Sequence, residues 1–287
     1  MKITLGLNID ALRAERNLAR ATREHSSALT NLASGQRINK ASDDAAGLAI
    51  AEALRSQSKI ANTAIRNISD GQSYISIGDS ALEAVSSILQ RMAELAEQAA
   101  NGVYSTAQRS PLQKEFEALG SEIERISKTT QFNGIKILES SQKVIIQVGF
   151  NSYSNSRLEI SALQGRLQDI GLAQSSSSAL SYSISGNSVA DGQGAARTAL
   201  AAITEALQTV NSKRGLLGAN ESRLSSALNN LTSAKNNLEA AESRIRSADI
   251  AVETAKLLKA QIHQQTATAI LAQANISQRR ALDLLSI

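Results

Sequence analysis

The chain has 287 residues, a single proline, no cysteine, no tryptophan, 2% aromatic residues and a formal net charge of +4. Without cysteine there is no disulfide framework, no zinc-ribbon spacing and no thiol nucleophile, and so few aromatic residues argue against a bulky enzyme core and for long helices with thin apolar seams. Residues 1–40 carry seven basic and three acidic side chains and residues 244–287 six and three, but Arg13, Arg16, Arg20 and Arg23 are spaced along helical faces with no aromatic residue to stack on bases, which reads as a solvated face rather than a nucleic-acid surface.

The start, MKITLGLNID, has one lysine but no apolar core and no small-residue cleavage site, so no secretory signal peptide is read from it. No stretch approaches the ~20 apolar residues of a membrane span, and membrane insertion is not expected. Over the first 33 residues a thin stripe runs through Leu5, Leu12 and Ala19, joined by Leu18, Leu29 and Leu32. It stops at SGQRINKASDDAAGLAIA, residues 34–51, whose polar first half buries almost nothing. Asp43 and Asp44 follow Ser42 at the point where helix restarts. Neighbouring helical residues point about 100° apart, so the two carboxylates read as an N-terminal capping turn rather than a catalytic pair.

From Ile50 onward, alternating steps of four and three pick out Leu54, Gln57, Ala61, Ala64, Ile68, Gly71, Ile75, Gly78, Leu82, Val85, Leu89, Met92, Ala96 and Ala99. Such spacing predicts a helix in coiled-coil contact, and from Asp43 to Ala100 it would span roughly 85–90 Å at 1.5 Å per residue. Gly71 and Gly78 would let a partner helix approach closely. Asn101-Gly102 ends the helix. Ser110-Pro111-Leu112-Gln113 predicts the start of another, with Ser110 as cap and Gln113 closing a capping box; it runs to QFNG at 131–134.

KVIIQVGF (143–150) and SRLEISAL (156–163) read as a β-hairpin. Residues 164–194 lack a clear period, and a loop of that length is either functional or mobile. Helix resumes near Gly194, with a stripe through Leu200, Ile203, Leu207, Val210, Leu217, Leu224, Leu228, Leu231, Leu238 and Ile245. The last stretch keeps smaller heptad residues, Ala248, Ala255, Ile262, Ala269 and Ile276, with Leu258 and Ala272 extending the face. The predicted fold is mainly α, an elongated antiparallel coiled-coil bundle with a small β-hairpin and paired N- and C-terminal helices. The terminal helices should be marginal alone and order when further copies cover their remaining apolar surface. His25 and His263 lack metal-ligand spacing, and no phosphate-loop, dinucleotide or nucleophile-elbow motif is present. Neither an active site, a metal site nor a cofactor is expected.

LASGQRINKASDDAAGLAIAEALR (32–55), NISDGQSYISIGDSALEAVSSILQRMAELAEQAANG (67–102), QFNGIKIL (131–138) and ESRIRSADIAVETAKLLKAQIHQQTATAILAQAN (242–275) closely resemble bacterial flagellin. The resemblance implies a subunit that polymerises into the flagellar filament, outside the cell, after export by the flagellar secretion apparatus without a cleaved signal peptide. It implies three parts: 1–42 as inner-tube helix and connection, 43–242 as rod, and 243–287 as the second inner-tube helix. Leu5, Leu12, Ala19, Leu29, Leu32, Ala248, Ala255, Leu258, Ile262, Ala269 and Ile276 would form the terminal-helix seam used in polymerisation. Gly35, Arg37, Asn39, Asp43 and Asp44 would make the connection, and Ile68, Ile75, Leu82, Val85, Leu89, Leu224, Leu231 and Leu238 the rod seam.

The same resemblance implies as partners further copies of the chain, an export chaperone on the C-terminal segment, the hook-associated junction and cap proteins, and a host flagellin-sensing Toll-like receptor. Gln90, Arg91, Leu95 and Glu115 match the receptor-contacting positions; on the residues alone, Gln90, Arg91 and Glu115 read equally as solvated and Leu95 as packed against a neighbour. Larger flagellins insert outer domains in the region matching 164–194, so this looks like a minimal form. Arg279-Arg280 depart from the family pattern of uncharged polar residues. A hook–filament junction protein shares the paired ends, and a generic coiled-coil adaptor would share the seams alone.

Overall fold

The computed structural model describes residues 8–150, 153–174 and 179–285. They form two compact units, Met1–Ser58 with Asn236–Ile287 and Lys59–Lys235. Both boundaries fall inside long helices, α2 (Ala45–Ala100) and α4 (Val189–Arg246), rather than at the polar break.

The Lys59–Lys235 unit has the larger core. In α2 every stripe position from Ala61 to Ala99 is buried, including Ile68, Ile75, Leu82, Val85 and Leu89, and α4 contributes Ile203, Val210, Leu217, Leu224 and Leu231. Arg214, a polar interruption of the α4 stripe, is held at the edge by Asp79, with Nε 2.8 Å and Nη2 3.2 Å from its carboxylate oxygens. Gly71 and Gly78 admit something other than the expected helix. A Cβ at Gly71 would strike Ile146, and one at Gly78 would lie 2.9 Å from Leu163 and 3.3 Å from Ile137, with the α4 leucines farther off. The glycines seat the hairpin and the adjoining chain against α2.

Helix α3 (Thr106–Thr129) starts earlier than Ser110-Pro111 suggests. Ser105 caps it, and Gln108 completes the capping box by accepting from the Ser105 backbone N–H at 2.9 Å. This leaves Pro111 inside the helix and releases Gln113 from capping. The Gln113 Oε1 instead accepts from the Ile184 N–H at 2.7 Å and the Ser183 hydroxyl at 3.1 Å. The earlier start also places Arg109 in the core, 0% exposed. Its guanidinium donates to the Ala99 carbonyl (2.9 Å), the Asn101 carbonyl (3.1 Å) and the Val189 carbonyl (2.9 Å). These are carbonyls at and just beyond the end of α2 and one at the start of α4, which a buried cation bonds strongly.

Two antiparallel strand pairs follow. β1 (Gln131–Phe132) and β2 (Ile135–Lys136) turn on Asn133-Gly134, both at positive φ (48° and 79°), so QFNG is a tight hairpin as well as a helix stop. β3 (Val144–Gln147) pairs with β4 (Arg157–Ile160) in the register Val144↔Ile160 to Gln147↔Arg157. Ile146, Leu158 and Ile160 point into the core, while Arg157 and Glu159 face out. The described part of the aperiodic stretch is packed: Leu167, Ile170, Leu172 and Ile184 are buried. It is pinned by Glu124, itself 6% exposed, which accepts from Arg166 (3.0 Å), Lys128 (3.1 Å) and the Leu167 N–H (3.4 Å). Burial pushes the Glu124 carboxyl up, but the bonds from Lys128, Arg166 and Leu167 outweigh it and hold it below its ordinary value.

This packing sets the expected effect of two kinds of substitution. Gly71→Ala lowers stability despite the helix propensity of alanine, whereas Gly218→Ala, where a Cβ meets nothing within 4 Å, raises it by about 0.5–1 kcal/mol. Arg109→Leu, which removes three charge-assisted hydrogen bonds from the core, costs about 3 kcal/mol or more. Urea unfolding of each variant measures both.

Candidate assembly surface

The Met1–Ser58 and Asn236–Ile287 unit is built on helices α1 (Ile9–Ser34) and α5 (Ile250–Leu285). Asn8 caps α1, its Oδ1 accepting from the Ala11 N–H at 2.9 Å, and Gly35 ends it at φ 66°, a left-handed conformation that suits glycine. The helices run antiparallel, with the Asn31 side chain on Glu253, Gln264 on Thr22, and Asn8 Nδ2 on the Ala274 carbonyl.

The seam between them is alanine. Ala14, Ala21 and Ala28 on α1 and Ala260, Ala267 and Ala274 on α5 are buried. This corrects the expected pairing through the larger stripe residues. Leu12, Ala19 and Leu29 are exposed on α1, as are Ala255, Leu258, Ile262, Ala269 and Ile276 on α5; Leu32 and Ala248 are half-buried. Leu5 lies outside the described residues, as do the side chains from Ser277 onward, Arg279 and Arg280 among them. Ile9, Ile250, Val252 and Ile270 join the outward set, at 48–53% exposure. Small residues let the backbones approach closely, and the bulky residues one step round each helix are then turned out.

The stripe also shifts at the start of α2. Ile50 and Gln57 are exposed, and Ala51 and Ser58 are buried in their place, Ser58 donating to Glu239 at 3.0 Å. Leu238 is half-buried.

The polar break docks against the break between α4 and α5. Gln36 and Ser247 form an antiparallel bridge, the Arg37 N–H donates to the Arg246 carbonyl at 2.7 Å, and the Ala248 N–H donates to the Gly35 carbonyl at 3.0 Å. Arg37 Nη2 reaches the Ile245 carbonyl at 2.7 Å. Arg246 bonds Gln36 Oε1 (2.9 Å) and Glu52 (2.7 Å). Ile38, 1% exposed, is the apolar plug of the connection. The paired aspartates divide the capping. Asp44 Oδ1 accepts from the Gly47 N–H at 2.9 Å and starts α2. Asp43 Oδ2 accepts from the Asn39 (3.0 Å) and Lys40 (2.9 Å) amides and closes the preceding loop. Asn39 donates to Asn31 Oδ1 and to the Gln36 carbonyl, both at 2.9 Å.

In the other unit, Gln90 is exposed, and Arg91 is engaged with Glu115 and Glu94, each at 2.9 Å. Leu95 is 1% exposed in the core, so it offers no surface to a receptor; its position on the α2 seam side buries it within the chain. A cleft of about 650 Å³ runs along the terminal pair, lined by Arg13, Asn17, Arg20, Lys259, His263 and Ile270 among others. It mixes both charge signs and has no nucleophile–base pair. Among the described residues no group of three or more His, Cys, Asp or Glu could hold a metal ion, and no helix is long and apolar enough to cross a membrane.

A family model described as the bacterial flagellin N-terminal helical region matches residues 6–143, and one described as the bacterial flagellin C-terminal helical region matches residues 200–285. A flagellin of Halalkalibacterium halodurans is 40% identical over 279 residues, covering 97% of this chain and 98% of that protein. The chain belongs to the bacterial flagellin family. A flagellar filament 30.7 kDa core protein of Treponema maltophilum is 36% identical over 287 residues, 97% of this chain and 98% of its own. The crystal structure of Bacillus cereus flagellin superposes with a TM-score of 0.47 at 30% identity, over 62% of this chain and 94% of that one. This flagellin is a structural subunit of the flagellar filament, an extracellular appendage of motility.

The connection makes a specific pH prediction. The amides of Lys40 and then Asn39 hold the Asp43 carboxyl below its ordinary value of 3.8. A carboxyl depressed in the folded state contributes at neutral pH and loses that contribution as pH falls through the folded value. The amide shifts of Asn39 and Lys40, followed by NMR, should therefore titrate with a midpoint below 3.8; a midpoint at or above it contradicts the capping role.

Proposed function

We propose that α1 and α5 form the inner tube of the filament and that the remaining helices form the layer outside it, with Gly35, Arg37, Asn39, Asp43 and Asp44 as the connection between layers. One observation carries this reading: the terminal pair packs its alanines against each other and turns Leu12, Leu29, Leu258, Ile262, Ile270 and Ile276 outward. Each large aliphatic is worth about 1.5–3 kcal/mol when fully buried, so the covering of this face by further copies supplies the drive to assemble. Such a pair is a weak folding unit by itself and gains order on polymerisation.

The finer partners follow from the same surface. The C-terminal segment, Ala248 to Ile276, is the segment an export chaperone holds before secretion, covering the apolar residues that later face other copies. The hook-associated junction and cap proteins meet the filament through the same helices, and the chain leaves through the flagellar secretion apparatus. A host Toll-like receptor would read Gln90, Arg91 and Glu115 on the exposed face of α2 and α3, without Leu95.

Leu258→Ser combined with Ile262→Ser tests the inner-tube reading. It should raise the critical concentration for assembly by about two orders of magnitude, from the loss of two buried aliphatics, while far-UV helicity of the remaining helices is unchanged. Sedimentation with seeded, depolymerised protein measures the first and circular dichroism the second. Wild-type-like filaments from the double variant would overturn the reading, and closed rings from the wild-type chain would favour a junction protein.

A further inference from the structure

An alanine seam leaves a question about register. Ala14, Ala21 and Ala28 repeat every seven residues, and so do Ala260, Ala267 and Ala274. A shift of one heptad lays alanine on alanine again, with nothing in the apolar contacts to oppose it. The heptad of α5 is broken by one residue. Glu253 occupies the position seven before Ala260 and is 4% exposed, buried in the seam like the alanines after it.

Its carboxylate is held from two sides. Lys256 Nζ lies 2.6 Å from Oε1, with the lysine side chain 60% exposed, and Asn31 Nδ2 donates to Oε2 at 3.4 Å across the helix pair. Asn31 is itself aimed: its Oδ1 accepts from Asn39 Nδ2 at 2.9 Å, which turns its amide nitrogen toward Glu253. A relay therefore runs from the connection, through the last turns of α1, to the first turn of α5. The bridge at Gln36 and Ser247 joins the two segments at one end, and beyond it Asn31 bonds Glu253 across the pair, followed nearer the far end by Thr22 with Gln264 and Asn8 with the Ala274 carbonyl.

We propose that Glu253 is the positioning residue that selects the register in which the terminal helices pair. In the observed register it faces an amide that donates to it. Shifted by one heptad toward the start of α1, it would face Glu24 instead, whose side chain is exposed, setting two carboxylates against each other. A single polar residue in an otherwise apolar seam specifies register in this way at some cost in stability. The consequence concerns assembly: the register sets how Leu12 and Leu29 on one helix stand relative to Leu258 and Ile262 on the other, and hence the shape presented to the next copy. The proposal rests on this pair being the assembly surface.

Cysteine cross-linking in the full chain tests it, because the natural sequence contains no cysteine. Thr22→Cys with Gln264→Cys reports the observed register, where the two side chains are 3.3 Å apart. Thr22→Cys with Leu257→Cys reports the register shifted by one heptad. Oxidised under assembly conditions, the parent should form only the first cross-link. Adding Glu253→Ala should raise the second about tenfold over the parent's background, and Glu253→Gln, which can still accept from Asn31, should raise it less. Glu24→Ala, on the exposed side of α1, removes the repulsion in the shifted register without touching the native contact, and should also raise the second cross-link. If Glu253→Ala and Glu24→Ala both leave it at background, the proposal is wrong. Cross-linking reads register whether or not a pellet forms, so failure of the parent to sediment would count against the inner-tube reading alone.

Discussion

Close packing of alanine against alanine is the constraint from which the terminal unit takes its character. A buried methyl contributes about 0.8 kcal/mol, and six alanines, Ala14, Ala21, Ala28, Ala260, Ala267 and Ala274, form the shared seam of two helices of 26 and 36 residues. That is little against the ordering entropy of both chains. In exchange, most of the large aliphatics of the pair, Leu12, Leu29, Leu258 and Ile262 among them, are turned to the outside. A seam of leucines would have made a sturdier subunit and left nothing apolar for other copies to cover.

The rod stripe was legible in the sequence and the terminal seam was not, for the same physical reason. Between Ala61 and Ala99 the large apolar residues are buried by their own chain, so hydrophobic spacing points directly at the core. At the ends their own chain leaves most of the large apolar residues exposed, so the same spacing points at the outer surface, and the true intrachain contacts hide among alanines that a hydrophobicity pattern ranks low. The slip from Ile50 and Gln57 to Ala51 and Ser58 is the same effect at the start of α2.

Capping chemistry was legible where it is local and lost where it is not. Asp43 and Asp44 read as caps because their partners lie within four residues. The proline drew the predicted start of α3 to Ser110 with Gln113, whereas the structure starts it at Ser105 with Gln108. What decides between them is Arg109, whose acceptors at Ala99, Asn101 and Val189 are brought together only by the fold. Residue type alone gave no hint of a fully buried arginine with carbonyl rather than carboxylate partners. Asn133-Gly134 carried a hairpin signal that its position at a helix end obscured.

Arg109 has one more consequence. The end of α2, the turn after it and the start of α4 converge on a single guanidinium, so none of the three can fray without unseating it. In native-state hydrogen exchange these segments should open as one unit, with a shared free energy, although some 80 residues separate Arg109 from Val189. A protease nick in the exposed turn around Gly102 and Val103 would leave both cut ends on the same side chain. Chain continuity at that corner is supplied twice, once by the backbone and once by a cation.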